Sequence, residues 1–377
     1  MGELHLVSLV DVKQDKDAIQ AMKEEFLHSY FISHSKYLAL TNIARNVFKN
    51  LPFQVAYYRN KKLFNLIEEL AEQHRFDLVY THLIRMVPYA RMLRDSKVIL
   101  DYTDCISLEY NRSLSHLRGI RKLFFKVEAA RTAKYEERVA NLFAENWVIS
   151  PVDIQKLGLK DHHRSVVLPN QVYIPPLHED TGLKMRLIFT GNMSVAHNIV
   201  AAQNVCKKIM PALLHEFPQL EFVIVGAAPV PEIKLLHGVN NTKVLGYVED
   251  LYQALMDSDI FIAPMYFSAG IQNKALEAMA CGIPVITTPN VAQSLDAHDE
   301  VELMIAEDNH GFVTKAAYLL KNDVARAQIG KSGRALVQKK YSPEAISKLI
   351  TERVDKIIHS KRSSGDAKSE TGPDRLR

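Results

Sequence analysis

Lys274 and Glu277 stand three residues apart in Gly270-Ile-Gln-Asn-Lys-Ala-Leu-Glu-Ala-Met-Ala-Cys-Gly-Ile-Pro-Val-Ile286, and together they can hold a phosphorylated sugar carrier. On a helix that spacing puts both side chains on one face. Ala275 to Ala280 are mostly strong helix formers, Gly282 suits a left-handed cap, and Pro284 cannot prolong the helix. Gly270 lets the backbone ahead of the helix approach a ligand. The N–H groups of Gln272, Asn273 and Lys274 then face outward at the positive end of the helix dipole, a fit for a diphosphate. Lys274 adds a full charge, and Glu277 can accept two hydroxyl hydrogen bonds from a ribose beyond the phosphates. The same stretch also reads as an ordinary amphipathic helix with a solvated Lys and Glu, so its surroundings must decide.

Upstream lie Gly246-Tyr-Val-Glu-Asp250, Ala254 to Ser258, and Asp259-Ile-Phe-Ile-Ala-Pro264. With the Gly270 helix, this order resembles glycosyltransferase family 4, also called group 1. The resemblance implies an α/β protein of the GT-B type, with two doubly wound Rossmann-like domains facing across a cleft. It also implies transfer with retention of the donor's anomeric configuration. The family signature is a Glu, seven residues and a second Glu; Glu277 matches the second, while Ala269 stands where the first belongs. The Gly-Ile-Gln-Asn-Lys form is similar to a subset associated with bacterial exopolysaccharide production.

Other positions take their roles from the same resemblance. Thr190-Gly-Asn-Met193 directly follows a strand and matches the family's first donor loop, so Gly191 and Asn192 join Gly270, Ile271, Gln272, Asn273, Lys274 and Glu277 as expected donor-binding residues. Where most relatives carry Arg and Lys near that loop, this chain has Ser194, His197 and Asn198, which leaves more of the phosphate charge to Lys274. His82, after the strand Asp77 to Thr81, occupies a place where relatives often carry a His near the acceptor. Its plainer reading is a hydrogen-bonded structural residue. In Asp101-Tyr-Thr-Asp104, Asp104 is the preferred contact to sugar hydroxyls and Asp101 suits a loop cap. Lys274, Asp104 and His82 are therefore the expected catalytic residues. Gly226-Ala-Ala-Pro229 lacks the further glycines of a dinucleotide fingerprint, which disfavours a dehydrogenase.

The elements that must position these residues alternate. Leu4 to Val10, Asp77 to Thr81, Val98 to Asp101, Trp147 to Ser150 and Ser165 to Leu168 read as strands, with helices at Lys61 to His74 and about Arg121 to Ala144. A second set of strands follows at Arg186 to Phe189, Glu221 to Val225, Lys243 to Leu245, Ile260 to Ala263 and Val285 to Thr287. The expected organisation is a first, acceptor-side domain over 1–168, a linker over 169–184 and a donor-binding domain over 185–343. A helix over 344–360 is expected to pack back on the first domain, ahead of a disordered tail over 361–377. A complete relative normally begins with a further strand, Gly-rich loop and helix, so the first domain is expected to lack its first β-α unit.

With 377 residues, 47% of them hydrophobic, the chain is long enough for two ordinary cores. Its three cysteines, Cys105, Cys206 and Cys281, have no metal or disulfide spacing, and no run of membrane-spanning length occurs. A cytoplasmic protein without metal or cofactor is expected, its partners being a nucleoside diphosphate sugar and a glycan or lipid-linked acceptor. A net charge of +4 is too small to argue for nucleic acid. From Arg112 to Arg138, however, eight Lys or Arg face three Glu with apolar residues between them, enough for an anionic membrane surface if the cluster is exposed. The competing reading there is a packing helix with solvated charges. Two functional alternatives remain: a GT-B sugar-nucleotide epimerase, and a noncatalytic sugar-nucleotide-binding subunit.

Overall fold

The structure, a computed structural model, describes residues 3–11, 15–46, 51–93, 95–103, 105–114, 118–157, 164–177, 182–266 and 271–360. The chain forms two compact units, Met1–Asn146 with Leu349–Arg377, and Trp147–Lys348.

In the first unit, β1 (His5–Val10) and β2 (His28–Ser33) form a parallel pair in which His5 lies opposite His28. β3 (Leu78–His82) and β4 (Lys97–Asp101) are likewise parallel. β5 (Glu145–Val148) follows, and the chain passes from the first unit to the second along it; β6 (Ser165–Val167) lies in the second unit. Val98, Ile99 and Leu100 are all buried, the continuous apolar run that a strand covered on both faces requires. The helix Lys61–Gln73 is capped by the Asn60 side chain, which accepts from the Lys62 N–H, and buries Leu63, Ile67 and Leu70 at helical spacing.

β2 was not anticipated from its residues. His28-Ser-Tyr-Phe-Ile-Ser33 opens on polar residues straight after a charged helix, and every position in it stays at least partly exposed, so pairing with β1 decides its state. The long helix runs over Gly119–Ala140, ending short of the expected Ala144, and β5 starts at Glu145 rather than Trp147.

The helix Pro343–His359 belongs to the first unit from Leu349 onward. Lys97 Nζ donates to the carbonyls of Ile357 (2.6 Å), Ile358 (3.0 Å) and Ser360 (2.6 Å), placing a cation on the negative end of the helix. Arg353 Nε donates to Glu145 Oε2 at 3.2 Å. The tail expected over 361–377 lies outside the described residues.

The second unit holds a six-stranded sheet of β7 (Arg186–Thr190), β8 (Glu221–Val225), β9 (Thr242–Gly246), β10 (Ile260–Ala263), β11 (Val285–Thr287) and β12 (Met304–Ile305). Its order is β12-β11-β10-β7-β8-β9, and every paired neighbour is parallel. Leu187, Ile188, Phe189, Ile260, Phe261 and Ile262 are fully buried at its centre. Successive strands run outward in both directions from the β7–β10 pair, so the connections after these two strands leave to opposite sides. That is the switch point at which open parallel sheets take ligands. The segment expected as a linker at 169–184 is held by this unit where it is described: Val172 N–H donates to Tyr341 O (2.8 Å) and Arg334 donates to Pro175 O (2.7 Å).

Candidate functional site

β7 ends at Thr190 and the chain turns at Gly191, whose φ is +150°. A Cβ there would stand 2.8 Å from Asn198 Nδ2 and 3.3 Å from Lys274 Nζ, so only glycine leaves room for both side chains. Gly226, at the end of β8 with φ +151°, lies so close to Gly191 O that any side chain would collide with it. The two loops are backbone against backbone: Gly191 N–H donates to Val225 O (3.0 Å) and Met193 N–H to Ala227 O (2.9 Å). Asn192 turns the loop by accepting from Ser194 N–H (3.0 Å) and Ser194 Oγ (2.7 Å) on its Oδ1. Gly226 thus supports the loop rather than resembling a second dinucleotide turn.

The helix after β10 starts at Asn273 and runs to Ala280, with Gln272 as its extended cap residue. Gln272 is buried, Ile271 packs against the core and Asn273 is exposed. Lys274 points back from this helix to the β7 loop, where Nζ donates to Asn198 Oδ1 and lies 5.2 Å from the centre of the Phe189 ring. Asn198 is buried within the helix Ala196–Asn204 and passes the contact on, its Nδ2 donating to Asn192 O at 2.9 Å. Burial pushes the Lys274 ammonium down to about 8, against an opposing pull from Glu277. Glu277 is itself raised by burial, which the Lys274 charge partly offsets.

Gly191, Asn192, Asn198 and Lys274 therefore form one connected constellation, with Glu277 one turn further along the same helix face. Gly270 and Ala269 lie outside the described residues. Asn198 is the member whose part was not read from sequence, where it stood only among the residues that replace the relatives' Arg and Lys. Its position seven residues after Gly191 was the available signal.

In the first unit His82 ends β3 and is exposed. Its Nδ1 lies 3.5 Å from Asp101 Oδ2 and 3.3 Å from Thr103 Oγ1. Tyr80 donates its hydroxyl to the same Asp101 oxygen, and Thr103 N–H donates to Asp101 Oδ1 at 2.8 Å. Burial opposes the Asp101 charge, yet the bonds from His82, Tyr80 and Thr103 prevail and hold its carboxyl below the ordinary range. Asp101 is thus the anchor of the His82 imidazole as well as a loop cap. Asp104 lies outside the described residues.

Residues 184–322 match the family model described as "Glycosyl transferases group 1". The match covers the stretch that carries the β7 loop and Lys274. Among curated proteins, the chain is 24% identical over 196 residues to an "Uncharacterized 44.6 kDa protein in cps region" of Klebsiella pneumoniae, covering 48% of this chain and 50% of that one. It is 29% identical over 177 residues to a "GDP-mannose-dependent monoacylated alpha-(1-6)-phosphatidylinositol monomannoside mannosyltransferase" of Corynebacterium glutamicum, covering 41% and 42% of the two chains. These matches span half or less of the relatives' own length. Among solved structures, HepE of Anabaena in complex with UDP superposes with a TM-score of 0.62 at 14% identity, over 93% of this chain and 100% of that one. The likeness establishes a mixed α/β fold of the GT-B type.

Proposed function

We propose that the chain is a retaining glycosyltransferase that moves a sugar from a nucleoside diphosphate sugar to a hydroxyl of a glycan or glycolipid, in polysaccharide synthesis. One observation carries this reading: Lys274 is a largely buried ammonium at the switch point of the sheet, and its hydrogen-bond acceptor is the neutral amide of Asn198. A buried charge needs counter-charge, and the pull of Glu277 offsets its burial only in part. A diphosphate supplies one, and the Gly191 turn leaves the backbone bare where it would lie.

The donor's bond to its sugar breaks with both electrons leaving on the diphosphate. Lys274 and the start of the helix Asn273–Ala280 oppose the charge that builds there. These groups supply the positive charge, so no metal enters this reading. Glu277 takes the ribose hydroxyls, and Asn192, Ile271, Gln272 and Asn273 line the approach. His82, held by Asp101, orients the acceptor hydroxyl, and Asp104 contacts acceptor sugar hydroxyls.

The acceptor reading extends to a lipid surface on the cytoplasmic side. On the helix Gly119–Ala140, Ile120 (84%), Leu123 (62%), Phe124 (50%) and Val127 (50%) are exposed beside Arg121, Lys122 and Lys126. Apolar side chains interleaved with cations suit an anionic leaflet. No described helix is long and apolar enough to cross a membrane, so attachment would be peripheral. The relative named for a phosphatidylinositol mannoside acceptor supports a lipid-linked acceptor here.

The test is incubation of the purified chain with UDP-sugars and GDP-mannose, with and without membrane lipid extract. Glycolipid formed with an unchanged anomeric configuration is the expected product. An altered sugar nucleotide released without acceptor would replace the reading with an epimerase, and nucleotide binding without any turnover would reduce it to a binding subunit.

A further inference from the structure

Glu3, His5 and His28 converge at one end of the β1–β2 pair, and we propose that they bind a zinc ion that staples the two strands. The parallel register sets His5 against His28, with ring centres 4.5 Å apart and planes 10° from parallel. Glu3 lies two residues before His5, so it shares a face with it. Its Oε1 stands 3.4 Å from His5 Nε2 and 2.9 Å from His28 Nε2, and one ligand atom from each residue fits within 4.8 Å. Zinc bound tetrahedrally at about 2.0–2.1 Å holds its ligands about 3.3 Å apart, so Glu3 already stands near ligand spacing from both imidazoles, and the two stacked rings must tilt towards each other for both nitrogens to face the ion.

Burial grades across the cluster in the way a site with an open position requires. The His5 side chain is 5% exposed, walled by the rings of His74 (4.6 Å) and Phe76 (5.3 Å), while His28 is 33% and Glu3 58% exposed. The ion can enter past Glu3 and keep water in its fourth position. Without an ion, two imidazole N–H groups sharing one carboxylate oxygen would make an ordinary hydrogen-bonded pair. The zinc reading is preferred because two-stranded sheets are marginal by themselves and a metal cross-link adds its binding free energy to the folded state. β1 and β2 bury little: of their twelve residues only Val10 is buried, while Val7, Leu9 and Ile32 pack partly exposed against the cluster of Leu63, Ile67 and Tyr89. This site is independent of Lys274 and of any sugar transfer.

The test uses the tag-free chain, stripped with a chelator and titrated with Zn2+ by calorimetry and with Co2+ by visible absorption. One ion per chain, the absorption of four-coordinate Co2+ and a higher melting temperature with Zn2+ are expected. Glu3→Gln and His28→Gln should each weaken Zn2+ binding at least about a hundredfold, since even residues behind the ligands cost 10–100-fold. His298→Gln, which alters an exposed imidazole paired with Glu302, should change nothing. Circular dichroism checks folding, and Glu3, being exposed, carries the test should His28→Gln misfold. No binding, or binding equal in wild type and Glu3→Gln, overturns the proposal.

Discussion

Replacing Lys274 by Met removes the ammonium while keeping a side chain of similar length against Phe189. If that ammonium holds a diphosphate, the loss is one charge-assisted contact of about 1.5–3 kcal/mol, or about 10–150-fold in affinity. Acidity gives a second, independent signature. Burial sets the ligand-free ammonium at about 8, so it is charged below that pH and neutral above it. From about pH 7 to about pH 9 the charged fraction falls from roughly nine-tenths to one-tenth, and a ligand that needs the charge binds about tenfold more weakly at the upper end. Calorimetry with UDP and with GDP across this range provides the assay, and Lys274→Met gives the baseline for titration of the nucleotide itself. Affinity that falls with pH in wild type and is weak and flat in Lys274→Met is the expected result. A wild-type affinity unchanged between these two pH values, or Lys274→Met binding as tightly as wild type, would refute the placement of the diphosphate.

Gly226→Ala would drive a Cβ into Gly191 O, so it should cost about 1–3 kcal/mol in thermal or urea unfolding and weaken nucleotide binding through the displaced loop. Glu277→Gln keeps the shape but loses the charged acceptor for the ribose hydroxyls, and should weaken a ribonucleoside diphosphate about tenfold while leaving inorganic pyrophosphate unchanged. His82→Gln should leave nucleotide affinity intact and lower turnover about 10- to 100-fold, read as a fall in kcat at fixed donor KM. Exchanging Leu123 and Phe124 for Ser should abolish sedimentation with phosphatidylserine vesicles, and raised salt should do the same to wild type if the basic residues share the work.

The parts of the fold that were legible in the sequence are those whose local pattern and tertiary role agree. β10 and β11 fall where Ile260 to Ala263 and Val285 to Thr287 were expected, since a central parallel strand must be apolar throughout and its ends are marked by Asp259, Pro264 and Pro284. The helix carrying Lys274 was equally plain from its Ala-rich run and Gly282. What stayed hidden depends on partners distant in sequence. β2 owes its state to β1, and β12 is a two-residue strand at the sheet edge, too short for any periodicity. The function of Gly226 rests on Gly191, and that of Asn198 on Lys274, 76 residues away. Such pairings follow from strand order, which spacing along the chain does not specify.

The strand order also explains why the proposed donor residues come from separate stretches of chain. β7 and β10 are neighbours in the sheet although β8, β9 and the helices around them lie between the two in sequence, so Gly191 after one and Lys274 after the other meet only at the switch point. Holding Lys274 there is costly: a fall from 10.5 to about 8 corresponds to about 3 kcal/mol at neutral pH. The sign is that of a cation whose folded value is depressed, so the penalty is present in full below about 8 and is relieved as pH rises from there towards 10.5. A Met or Leu in the same place would spare the fold that cost, and the bond to Asn198 returns only part of it. In the proposed reading a bound diphosphate reverses the balance, because it meets an ammonium that burial has already stripped of much of its water. On the same reading, the destabilised cation is what makes this end of the sheet favour an anion over a neutral sugar.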